Sequence, residues 1–112
     1  MRRGEVWFAD TGPGGDRPVL VMTRDPVAAR VDAVVIAQIT TRTRGLTSEL
    51  ALTPEIDGVP TTCVVSFDNL ATLPRNSLRR YVTTLPEARM VQACTALNAA
   101  LGCIVQVGDQ SS

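Results

Sequence analysis

An arginine followed directly by proline, at the end of a glycine-rich loop, has a backbone conformation that is largely set in advance. In Gly14-Gly15-Asp16-Arg17-Pro18-Val19-Leu20-Val21 the proline pushes Arg17 out of the helical region and into an extended conformation at the start of a strand. Its guanidinium stays protonated at any physiological pH and can grip a phosphate with two parallel N–H donors. Thr40 offers a complementary group. It closes the run Ala33 to Ile39 and opens the hydroxyl- and arginine-rich loop Thr41-Arg42-Thr43-Arg44-Gly45-Leu46-Thr47-Ser48. A hydroxyl there is held by a strand on one side, reaches solvent on the other, and can donate to a phosphate oxygen. Each residue alone also has an ordinary structural reading. Arg17 fits a solvated strand start, Thr40 fits a β-branched strand residue, and the neighbouring Arg42 and Arg44 fit either holders of flanking phosphates or a charged loop that serves solubility.

The rest of the composition narrows what chemistry is open. The chain has no histidine, which removes the usual general base near neutral pH and the commonest metal ligand, and with them Ser-His-Asp and Cys-His mechanisms. Apart from Glu55 and Asp57 the acids are scattered singly, so neither a metal site nor a cofactor is expected. Arginine, hydroxyl, carboxylate and amide groups must supply any catalysis. Eleven basic residues balance eleven acidic ones, so a polyanion would be drawn to a local patch and not to a global field. Cys63, Cys94 and Cys103 are odd in number and form no Cys-x-x-Cys pair, which argues against a disulfide framework and a zinc knuckle and for small buried apolar residues.

At 112 residues the chain fits one domain, expected over 1–103 with a short polar tail over 104–112. Its apolar runs are only a few residues long, against about 20 for a membrane span, and the opening Met1-Arg2-Arg3 reaches Gly4, Glu5 and Asp10 before a secretory apolar core can form. A cytoplasmic protein without membrane contact is expected.

Strands are predicted over Glu5–Asp10, Arg17–Thr23, Ala33–Thr40, Leu50–Leu52, Thr61–Phe67, Leu70–Leu73 and Arg80–Thr83, with turns at Pro54–Gly58 and Pro74–Ser77. In the third of these Ala33, Val35, Ala37 and Ile39 form an apolar face, and Gln38 and Thr40 end the other face in polar groups. No helix interleaves the strands, so a mainly antiparallel sheet follows. From Thr84 the period changes. Thr84-Leu85-Pro86-Glu87 matches a capping box, and Met90, Cys94, Leu97 and Leu101 recur at helical spacing before the stop at Gly102, with Arg89, Gln92 and Thr95 on the far side.

Met1-Arg2-Arg3-Gly4-Glu5-Val6-Trp7, then Gly15-Asp16-Arg17-Pro18-Val19-Leu20-Val21, then Ile36-Ala37-Gln38-Ile39-Thr40-Thr41, then Phe67-Asp68-Asn69-Leu70-Ala71-Thr72-Leu73 resemble, in order and spacing, the MazF/PemK toxins of bacterial toxin–antitoxin systems. The resemblance runs from residue 1 to about 101. It implies a mainly β (α+β) fold, a small SH3-like antiparallel barrel with a C-terminal amphipathic helix, and a homodimer that cleaves single-stranded mRNA, tRNA or rRNA without metal. It also implies a cognate MazE-like antitoxin. By that resemblance Arg17 and Thr40 carry the chemistry, a ribose 2′-hydroxyl attacking the adjacent phosphate. Asp16, Thr41, Arg42, Arg44, Asp68 and Asn69 would contact RNA, and Asp16 or Asp68 would be the candidate base. Trp7 and Phe67 are open to base stacking or to core packing. The loop Thr11–Asp16 is shorter than in many members, Asp68-Asn69 stands where an acid and glutamine are frequent, and Ala71 stands where arginine is frequent. An exclusively arginine basic set fits a high-GC, actinobacterial coding bias. The alternative from another class is a CcdB-like toxin, of the same fold, that poisons DNA gyrase by binding it.

Overall fold

The computed structural model describes residues 2–25 and 30–102; the expected tail and Cys103 lie outside them. The elements are β1 (Glu5–Asp10), β2 (Asp16–Val21), β3 (Ala33–Thr40), β4 (Glu49–Leu52), a helical turn α1 (Pro54–Asp57), β5 (Cys63–Pro74), a 3-10 turn (Arg75–Ser77), β6 (Leu78–Thr84) and α2 (Glu87–Leu101). All six strands join one sheet in the order β4-β5-β3-β2-β1-β6, and every pairing is antiparallel. The expected antiparallel sheet and C-terminal helix are present, as a curled sheet running from β4 to β6, with α2 packed on β4 and β5.

Apolar side chains are buried in two clusters on opposite faces of the sheet, with Val19 and Val21 of β2 in one and Leu20 between them in the other. β3 meets both, and its pairing with β5 carries a register step. Ala37 pairs with Leu70 but Gln38 pairs with Ser66, so Phe67, Asp68 and Asn69 of β5 have no partner on β3. Alternation along β3 is unbroken, and the face that is covered changes between Ile36 and Ala37. Val34 and Ile36 join Ala9, Val19, Val21 and Leu78 in one cluster, and Ala37 and Ile39 join Val6, Leu20, Leu52, Val65 and Phe67 in the other. The expected uniform face is therefore corrected: Val35 is 40% exposed and Val34 is buried. The two strands read over Thr61–Phe67 and Leu70–Leu73 are likewise one, because β5 continues through Asp68-Asn69. Phe67 is fully buried, which settles it as a core residue; burying a side chain of that size contributes about 1.5–3 kcal/mol.

Three further corrections bear on how α2 is held. The capping box does not form: Thr84 belongs to β6, its hydroxyl meets Tyr81 Oη at 2.7 Å, and the N-cap position is Pro86 with no side-chain hydrogen bond. The buried seam of α2 is Met90, Ala93 and Ala96, with Leu97 partly buried and Leu101 57% exposed, since alanines let the helix backbone approach the sheet closely. Arg89 does not face solvent freely. Its Nε and Nη2 donate to Asp57 Oδ1 and Oδ2 at 2.8 and 3.0 Å, and Asp57, whose side chain is fully buried, also accepts from Thr53 N at 2.9 Å. Arg89 completes its donors on Gln92 Oε1 at 2.7 Å and on the Ala51 carbonyl. This ion pair clamps α1 to α2 and thereby places the segment that follows, Val59 to Thr61.

Two glycines serve geometry. Gly4 (φ +92°) donates to the Val21 carbonyl and accepts from Leu85 N, both at 2.9 Å, and a Cβ there would stand 3.4 Å from Met90. It stitches β2 to the entrance of α2. Gly58 (φ +73°) closes α1 in a left-handed conformation, and a Cβ there would come within 3.0 Å of Thr83 Oγ1.

Candidate functional site

β2 extends past β3 at its start: Val19 pairs with Gln38, whereas Arg17 pairs only with Ala9 of β1. The overhang leaves Arg17 exposed, with its guanidinium beside the Gly12–Gly15 turn; a Cβ on Gly14 would lie 3.4 Å from Arg17 Nη2. Thr40 ends β3 nearby. Both line one cleft of about 270 Å³, with Thr41 and Thr61 as further hydroxyls and Val6, Phe8, Pro18, Ile39, Val59 and Cys63 among its apolar walls. The structure thus brings together the two residues singled out for chemistry.

The hydroxyl of Thr40 is already oriented. Its Oγ1 accepts from Arg42 N at 3.1 Å, so its own proton is left to donate to a ligand. The loop beyond is folded around one carboxylate. Glu49 accepts from the backbone N–H groups of Arg44, Gly45 and Leu46 at 3.1–3.3 Å and from Thr43 Oγ1 at 3.2 Å. Partial burial works against the charged form of Glu49, but these donors outweigh it and hold its carboxyl below the usual range. Arg42 and Arg44 are exposed beside the cleft and do not line it.

The other candidates sit elsewhere. Asp16 Oδ1 is 3.5 Å from Arg79 Nε, and Asp68 Oδ2 accepts from Ser48 Oγ. Asn69 Nδ2 donates to Ser66 Oγ at 3.2 Å. None of the three lines the cleft, and among the described residues no carboxylate does. Trp7 lies with the second cluster, its indole N–H on Glu5 Oε1 at 2.8 Å and its ring edge-on to Tyr81 at 5.8 Å. The aromatic that lines the cleft is Phe8, which the sequence reading passed over. Cys63, the cleft's sulfur, has its thiol pushed up by burial and by the nearby Asp57 charge.

A wider groove of about 760 Å³ runs along α2, where Arg2 and Arg3 share the lining with Asp25 and Glu87. Asp25 sits 3.8 Å from Arg2 Nε and accepts from the backbone N–H of Arg3, whose Nη2 donates to Cys94 Sγ at 2.6 Å. In the smaller cleft Arg17, which pairs with no carboxylate among the described residues, stands exposed and lines the same walls as Thr40. Such a site suits a phosphodiester anion. Among the described residues no group of three His, Cys, Asp or Glu side chains is placed to hold a metal ion, and no helix is long and apolar enough to cross a membrane.

Known proteins share both the sequence and the shape. The chain is 59% identical over 103 residues to a probable endoribonuclease MazF2 of Mycobacterium tuberculosis, covering 92% of this chain and 100% of that one. It superposes with a TM-score of 0.83 and 30% identity on an endoribonuclease from a mycobacterial species solved with its cognate antitoxin, over 95% of this chain and 99% of that one. The Mycobacterium tuberculosis toxin MazF-mt6 matches with a TM-score of 0.80 and 30% identity, over 90% and 99%. Nothing in these matches supports the gyrase-binding alternative. The PemK-like, MazF-like toxins of type II toxin–antitoxin systems match residues 2–101, and the chain belongs to that family.

Proposed function

We propose that the cleft between Arg17 and Thr40 is where this endoribonuclease toxin cuts single-stranded RNA. The observation that carries the reading is the meeting in one cleft of a pre-oriented hydroxyl and an exposed arginine that pairs with no carboxylate among the described residues. The ribose 2′-oxygen forms a bond to the adjacent phosphorus as the bond from phosphorus to the 5′-oxygen breaks. The products are a 2′,3′-cyclic phosphate and a 5′-hydroxyl end; one proton leaves the 2′-hydroxyl and one reaches the departing oxygen. Arg17 answers the charge growing on the phosphoryl oxygens, and Thr40 donates its free O–H to fix the phosphate for in-line attack. Neither role needs histidine or a metal.

Thr41 in the cleft and Arg42 and Arg44 beside it hold the neighbouring nucleotides, and Asp16, Asp68 and Asn69 contact RNA farther from the cut. We carry over a cognate antitoxin from the structural relative, a symmetric homodimer with its RNA groove beside the interface, and a cytoplasmic location where transcripts are met. Residues 1–103 act as one toxin domain with 104–112 as a polar tail. Mapping the ends on a defined transcript tests the chemistry. Cyclic phosphate ends, a rate indifferent to EDTA and no rate limb near the histidine value of about 6.5 are expected. Cleavage that survives a 2′-deoxy substitution at the cut, or that collapses on chelation, sinks the reading.

A further inference from the structure

Arg79 and Arg80 are neighbours in β6 and face opposite ways. Phe8 of β1 pairs with Arg80 and Ala9 pairs with Leu78, so Arg79 is the extra residue of a bulge. A bulge re-aims the side chains on either side of it. Arg79 turns toward two acids, with Nη2 3.2 Å from Asp10 Oδ2 and Nε 3.5 Å from Asp16 Oδ1. Arg80 stays on the face of Phe8, its guanidinium carbon 4.4 Å from the ring centroid. Phe8 is itself a wall of the cleft. Arg80 is exposed and pairs with no carboxylate among the described residues.

A guanidinium lying on a ring face loses freedom without losing charge, and its N–H rim remains open to an oxyanion. Phe8 pairs with Pro18 on one side and with Arg80 on the other, so Arg80 stands two strand spacings, about 10 Å, from the residue next to Arg17. We infer that Arg80, seated on Phe8, is a positioning residue that binds an RNA phosphate flanking the scissile one. The inference rests on the cleft being the cleavage site. A contact remote from the reacting atoms holds substrate and transition state alike, so it acts on KM and not on kcat.

The test uses an RNA oligonucleotide spanning the mapped cut, in a cleavable form and in a form with 2′-deoxyribose at the cut. Arg80→Gln should raise KM and the Kd for the uncleavable strand roughly tenfold with kcat kept, and should lower the slope of log Kd against log salt by about 0.7. Arg80→Lys should restore the slope. Parental Kd and salt slope in folded Arg80→Gln overturn the inference, as does a loss confined to kcat. Arg17→Ala in the same assays separates the two readings. Loss of kcat there with an inert Arg80→Gln rejects only the positioning role, whereas parental kcat in Arg17→Ala rejects the cleft.

Discussion

Arg89 and Arg17 are the same side chain in opposite circumstances. Arg89 spends its donors on a buried carboxylate, a glutamine and a backbone carbonyl, and Asp57 in return is fully satisfied. Arg17 stands exposed on a strand overhang and, among the described residues, no acid pairs with it. The first arginine is completed by the fold, and the second is the one to which we assign an anion. Residue type therefore says little about what an arginine can do; its surroundings say more.

Breaking the junction should give the largest effect on stability. Asp57→Ala leaves the Arg89 guanidinium only partly exposed and without its partner, and should cost about 3–5 kcal/mol in urea unfolding. A loss below 1 kcal/mol would mean that Arg89 swings into water and that the clamp is decorative. Breaking the cleft should do the reverse: Arg17→Ala should cut RNA on the order of 10²- to 10³-fold more slowly while unfolding at the parental urea concentration. An equal loss of stability and activity would erase the contrast between the two arginines. Thr40→Ala should slow cleavage less, roughly tenfold, because one neutral donor is lost; Thr40→Ser should recover most of the rate, and failure of that rescue would remove the hydroxyl from the chemistry.

The smallest effect sharpens the comparison at the loop beside the cleft. Glu49 has a folded-state value below that of an unfolded glutamate, so its latch contributes fully above about 4.3 and is lost as pH falls through the lower folded value. The amide resonances of Arg44, Gly45 and Leu46 should titrate together with an inflection below 4.3 and stay flat in Glu49→Gln. An inflection at or above the ordinary glutamate value would mean that those amides do not hold the carboxylate.

β1, β3 and the stop at Gly102 were legible because each depends on local pattern: alternation, β-branching, a glycine after an apolar stripe. The single apolar face expected of β3 is not there because one side of the sheet is covered over Val34 and Ile36 and the other over Ala37 and Ile39, and a single-strand period cannot show which side its neighbours cover. The capping box failed for a related reason: Thr84 was already committed to pairing with Glu5 of β1. Arg89 looked solvent-facing on a helical wheel because its partner is more than thirty positions away, on α1. In the site, Arg17 and Thr40 could be picked from their local settings, but their meeting is a property of the sheet order. Phe8 and Arg80 gave no signal, since a bulge decides where they point.

Cys63 carries a practical consequence. A thiol on a cleft wall is ordinarily a point of attack for oxidants and alkylating reagents. Burial and the nearby Asp57 charge hold this one in its protonated, unreactive form. Of the two described cysteines Cys94 is the more accessible, so a maleimide dye should label α2 before it reaches the cleft. Alkylation can thus be aimed at the helix, where Cys94 Sγ accepts from Arg3 Nη2 at 2.6 Å, with the wall of the cleft left untouched.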